Sequence, residues 1–156
     1  MLKHSLYREI MADTSLLADT ILQQYKDSIS YTNIGMIDNV KSSLNDSLNS
    51  NSSVALISAS SINNAILPVN TIEQLNKEVT ALQINLRLQN RDSLTQAEID
   101  YLRNIALLCP YKDGDAVFEA RALLTWYDTI GTRYINPCEG IDLASNKVDN
   151  VENNSN

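Results

Sequence analysis

Turn-forming residues are scarce in this 156-residue chain: it holds four glycines and three prolines. A β-sandwich needs a reversal after every short strand, so this shortage disfavours all-β architectures and favours helices. Aromatic residues make up only 6%, with a single Phe and a single Trp. Any core must therefore be built from Leu, Ile, Val and Ala. Positive charge is also in short supply. Twelve basic residues stand against nineteen acidic ones, for a net charge of −7 and a pI near 4.6. The basic residues are scattered, which excludes the cationic patch that a nucleic-acid backbone requires. One His and two Cys cannot complete a four-ligand zinc site, so no metal or cofactor is expected. No apolar run approaches membrane-spanning length, and the opening MLKHSLYREIMADTS lacks the apolar stretch of a signal peptide.

What the chain does have is aliphatic periodicity. Hydrophobic residues reach 44%, and they recur at three- and four-residue spacing rather than in strict alternation. Leu6, Ile10, Leu17, Ile21 and Tyr25 predict one helix from about Lys3 to Asp27. Ile37, Val40, Leu44 and Leu48 predict a second, followed by a loop over Leu48–Ser53, whose Asn and Ser side chains hydrogen-bond their own backbone. A third, weaker helix covers Val54–Leu67, ended by Pro68. Thr71-x-x-Gln74 and Thr95-x-x-Glu98 read as capping boxes opening two further helices, the latter with Leu94 and Ile99 placed as a hydrophobic staple. Cys109-Pro110 ends that helix, Gly114 permits a tight reversal, and Ala116–Tyr127 forms the last helix, with Gly131 placed to terminate it. The expected fold is all-α: an antiparallel bundle of about six helices with a Cys-Pro/Gly helix–turn–helix corner near its C-terminal end. Residues 1–144 form the helical domain and 145–156 a polar tail.

Candidate chemical residues are few. Arg121, among the small residues Ala116, Ala120 and Ala122, has two readings: a structural side chain capping carbonyls at the corner, or a ligand for a carboxylate or phosphate. His4 lies at the chain start, where no organised pocket is expected around it. Asp13 with Asp19, and Glu98 with Asp100, read as solvated helix faces rather than catalytic carboxylate pairs. Trp126, Tyr127 and Tyr134 follow the corner and read as core edge or as the wall of an apolar pocket. Asn51 opens an N-glycan acceptor pattern, a motif with many chance matches. Spacing alone leaves Cys109 and Cys138 equally open to pairing or to remaining two thiols.

The stretch IALLCPYKDGDAVFEARALL, Ile105 to Leu124, resembles a segment of large surface proteins that Bacteroidetes secrete through the type IX secretion system. The matching residues are Ile105, Ala106, Cys109, Pro110, Gly114, Ala116, Val117, Phe118, Ala120, Arg121 and Leu123, with Cys138 as the second Cys. In that family the segment closes a helical region ahead of a C-terminal sorting domain. Two departures stand out: Asp113-Gly114-Asp115 replaces an expected pair of glycines, and no sorting domain follows Asn156, as for an excised piece of a longer chain. The resemblance covers about the last third of the sequence and implies no catalytic residues. It does imply a Cys109–Cys138 disulfide and an extracellular or cell-surface location.

The tripeptide Asp-Ser/Thr-aliphatic, which resembles the O-glycosylation acceptor of exported Bacteroidetes proteins, occurs five times, placing candidate glycans on Thr20, Ser28, Ser47, Ser93 and Thr129. Composition alone gives about one such match. The competing explanation is that Asp, Ser and Thr collect at helix boundaries. The functional expectation is a non-catalytic structural or interaction module, a spacer or stalk of a secreted surface protein. Its partners are other proteins or neighbouring domains of a larger chain, with no nucleic acid and no membrane span. The alternative is a cytoplasmic helical adaptor that binds a protein through an exposed aliphatic stripe.

Overall fold

The computed structural model describes residues 2–50 and 53–127 together with Tyr134 and Cys138; the side chains of residues 2–5 and 48–50 are outside the described set. The described residues are all-helical: α1 (Leu2–Ala12), a 3-10 turn (Thr14–Ala18), α2 (Thr20–Ser30), α3 (Asn33–Ser50), α4 (Ser53–Ala65), α5 (Thr71–Leu88), α6 (Gln96–Ala106), α7 (Pro110–Asp113) and α8 (Ala116–Tyr127). The all-α antiparallel bundle is therefore as expected, with eight α-helices rather than about six.

Two local events account for the difference. The single helix expected over Lys3–Asp27 is broken, because Asp13 accepts hydrogen bonds from the backbone N–H and the hydroxyl of Ser15, and Asp19 accepts from the N–H groups of Ile21 and Leu22. Short acidic side chains thus offer the backbone partners that a continuing helix does not. The expected stripe fails with it: Ile21 is 75% exposed, while Tyr7 and Ile10 are the buried anchors of α1. The second event is at the corner. Helix α6 stops at Ala106, and Pro110 begins the short α7, since proline fits the first helical position, where no N–H partner is needed.

Caps fix the other boundaries. The Thr95–Glu98 box forms as expected, with both reciprocal bonds present, and Leu94 and Ile99 pack half-buried on one core cluster. The box expected at Thr71 is shifted by one residue. Asn70 is the N-cap and accepts from the Glu73 N–H, while the Glu73 carboxylate accepts from the Val69 N–H. Helix α5 ends in a Schellman motif, with Asn90 at φ 48°. There the Arg91 N–H donates to Leu86 O at 2.8 Å and the Asn90 N–H to Arg87 O at 3.1 Å.

Helix α5 is the axis of the molecule. One part of it, Leu75 and Val79, joins Leu102, Ile105 and Ala106 of α6 and Val117, Ala120 and Leu124 of α8 in one core cluster. Ile84, further along, joins Val40 and Leu44 of α3 and Leu56 and Ala59 of α4 in a second. The core is aliphatic, as the composition requires. A buried amide ties α4 to α5: Asn63 donates to Lys77 O at 3.0 Å. Gly35, in the first turn of α3, sits against the end of α2, where a Cβ would lie 2.4 Å from Ile29 O. Glycine there allows the two backbones to touch.

Candidate functional site

Chemistry-bearing side chains gather in two neighbouring places, the corner between α6 and α8 and a cleft beside it. The corner is built upward from its backbone. After α6 stops, its last carbonyls need donors. Arg121, projecting from α8, supplies them: Nε donates to Ala106 O at 2.9 Å and a terminal nitrogen to Leu108 O at 3.3 Å. The same guanidinium lies over the Phe118 ring at 5.9 Å and the Tyr134 ring at 5.6 Å. Both nitrogen positions that face the corner are thus engaged with carbonyls, which is the structural reading of Arg121 and leaves the anion-ligand reading without support. Gly114 ends α7 at φ 89°, and a Cβ on it would lie 2.7 Å from Ile72 Cγ2, so both conformation and packing require glycine. Asp113 accepts from the Cys109 N–H at 3.1 Å, closing the turn from the other side.

Cys109 and Cys138 form a disulfide with Cα atoms 5.3 Å apart and a sequence separation of 29. It fastens the chain beyond α8 to the start of α7, and Tyr134 packs on the core cluster shared by α5, α6 and α8. Trp126 and Tyr127 lie on the side of α8 toward α5. Trp126 is 85% exposed, and both line a groove between α5 and α8.

The cleft, about 440 Å³, opens where α1, α3, α5 and the Gly114–Asp115 turn meet. Ile34, Ile37 and Ile72 supply its apolar wall, and Arg8, Lys41, Glu73 and Asn76 its polar wall. Its charges are largely answered within the fold. Lys41 Nζ is 2.7 Å from the Glu119 carboxylate and donates to Asn76 Oδ1 at 2.8 Å. Arg8 Nε donates to Asp38 at 3.3 Å, and its terminal nitrogen lies 3.6 Å from Asp115. Burial, and then the Asp38 charge, push the Tyr7 hydroxyl above its ordinary pKa, so it stays protonated beside that carboxylate. The arrangement joins α1 to α3 and to the corner.

The remaining candidates fall apart in space or into local caps. Asp13 and Asp19 cap different turns, and the Ser15 hydroxyl and N–H hold the Asp13 carboxyl below its usual pKa. Glu98 is drawn down to about 2, first by its bond to Arg91 and further by Thr95, while Asp100 accepts from Gln96 at 2.8 Å. Helix α1 includes His4, whose side chain is outside the described residues, as are Asn51, Thr129, Gly131 and residues 145–156. Of the glycan candidates, Thr20, Ser28 and Ser93 are exposed. Ser47 is 6% exposed; its hydroxyl donates to Leu44 O at 2.7 Å and accepts from Arg87 at 3.2 Å, so a glycan there does not fit the folded packing. Sequence reasoning missed the Arg8–Asp38 ion pair, because residues thirty positions apart carry no shared local pattern.

Among the described residues, no group of three or more His, Cys, Asp and Glu is placed to hold a metal ion, and no helix is long and apolar enough to cross a membrane. Comparison with known proteins finds no matching family model, no matching curated protein and no matching solved structure.

Proposed function

We propose that this chain is a non-catalytic structural and interaction module, a spacer or stalk segment, of a protein exported by the type IX secretion system and displayed at the cell surface. The observation that carries the reading is the Cys109–Cys138 disulfide, a bond that persists in oxidising compartments. The type IX resemblance rests on residues that build the corner. Ile105, Ala106, Ala116, Val117 and Ala120 are buried, Gly114 makes the turn, and Arg121 caps α6. A motif whose members pack, turn and cap accounts for a recurring structural element and asks for no substrate. Exposed Thr20, Ser28 and Ser93 leave three acceptor positions open to a glycosyltransferase acting on the folded chain.

Intact-mass measurement on protein from its native host, before and after reduction and alkylation, tests the proposal. The expected result is a mass two hydrogens below the dithiol form, with hexose increments assigned to Thr20, Ser28 or Ser93. An unmodified chain whose two thiols alkylate without reduction would sink it. That outcome would favour a cytoplasmic adaptor, for which the observation in favour is Val54 and Ile57, exposed one turn apart on the outer face of α4.

A further inference from the structure

The single Trp of the chain is the most exposed of its large aromatic-or-aliphatic residues on α8, although the same helix buries Val117, Ala120 and Leu124 on its other side. An exposed indole presents a broad flat apolar face with a polar N–H edge, a shape suited to stacking against a ligand. Trp126 stands at one end of the α5–α8 groove, about 510 Å³. The floor is Leu86, Ala122 and Leu123, and Gln83 and Glu119 lie at the other end. Gln83 Nε2 reaches Glu119 Oε2 only at 3.4 Å, a long contact that leaves both groups hydrogen-bonding capacity toward the groove.

The charges of the groove select the ligand. Arg87, its one cation, donates through one nitrogen to Leu44 O at 2.7 Å and to Ser47 Oγ at 3.2 Å, and burial lowers its pKa. One oxygen of Glu119 is held by Lys41 at 2.7 Å. With the Glu119 carboxylate beside that one cation and a net charge of −7, the groove does not concentrate an anion. What remains is an exposed indole face, an apolar floor and an amide–carboxylate pair offering both donors and acceptors. A pyranose ring with equatorial hydroxyls matches this set: its C–H face is apolar, and each hydroxyl both donates and accepts.

We propose that the α5–α8 groove is a binding site for a neutral saccharide, stacked on Trp126 and hydrogen-bonded by Gln83 and Glu119. This site is independent of where the protein resides, so its test and the mass measurement fail separately.

Because Trp126 is the only Trp, its fluorescence reads the site directly in the full chain. The probes are cellopentaose and chitopentaose, titrated to about 10 mM, with sorbitol as the open-chain control. The expected result is a saturable blue shift with at least one of the oligosaccharides and none with sorbitol. Gln83→Ala should raise the dissociation constant about 5-fold, one hydrogen bond's worth, at an unchanged thermal midpoint. Trp126→Ala, followed by calorimetry, should abolish binding. An emission unchanged by both oligosaccharides, or moved equally by sorbitol, would overturn the proposal. So would a shift that depends on protein concentration alone, which would assign the groove to contact between copies of the chain.

Discussion

Gly35 sets two opposing effects against each other at a single residue. Even in a helix interior alanine is favoured over glycine by no more than about 1 kcal/mol, and Gly35 lies in a first turn. Here the added methyl would sit 2.4 Å from Ile29 O and 2.5 Å from Ser30 Cα, backbone atoms that cannot turn aside as a side chain would. Overpacking of that kind costs about 1–3 kcal/mol, and the clash is with a fixed helix end, so it wins. Gly35→Ala is expected to destabilise the fold by up to about 2 kcal/mol in urea titration, the opposite sign to helix propensity. A stabilised variant would show that α2 and α3 separate at little cost. Arg121 gives a second test at this scale. Its planar fork meets two carbonyls and two ring faces at once, and a lysine ammonium on a flexible stem cannot. Arg121→Lys should therefore lose about 1–2 kcal/mol despite keeping the charge, measured by the same titration. Full retention of stability would mean that charge alone holds the corner.

Among the elements, α6 shows how a cap becomes a pH dependence. The Thr95 hydroxyl and the Glu98 carboxylate satisfy each other's backbone, and Arg91 clamps the carboxylate at 3.0 Å and by a second, shorter bond. Folded Glu98 therefore stays ionised down to about 2, below its ordinary value of 4.5. In the unfolded chain it takes up a proton near that ordinary value, so its contribution is whole above about pH 4.5 and is lost as pH falls toward 2. Glu98→Gln should flatten the acid limb of stability in that window, and Thr95→Ala should cost about 1 kcal/mol at neutral pH. An acid limb unchanged in Glu98→Gln would place the proton uptake on another carboxylate. This cap was legible in the sequence because both partners lie within four positions of one another. The same locality made the α6–α8 corner, the aliphatic stripe of α3 and the all-α class readable. The break between α1 and α2 was not, since Asp13 and Asp19 interrupt a stripe whose apolar spacing runs straight through them. Nor was the cap at Asn70, because Thr71 beside it is an equally good capping residue. The cleft needed the fold itself, as Arg8, Lys41 and Asn76 come from three helices that no local pattern relates.

In the whole molecule, the disulfide acts on one side of an axis that two cores share. Closing a loop with a sequence separation of 29 removes unfolded-state entropy worth about 3 kcal/mol. For a chain of this size that corresponds to a fall in thermal midpoint of about 10 °C on reduction, and Cys109→Ser with Cys138→Ser should reproduce it without responding to reductant. Where the loss appears follows from the cores. Cys109 borders α6 and α7, and Tyr134 packs on the cluster of α5, α6 and α8, whereas Val40, Leu44, Leu56 and Ala59 meet α5 at a separate cluster. Reduction should therefore speed amide hydrogen exchange in α6 and α8 before it does so in α3 and α4, with α5 divided between Val79 and Ile84. Equal acceleration in all five helices would show instead that α5 couples the two cores into one unit, so that loosening either face releases both.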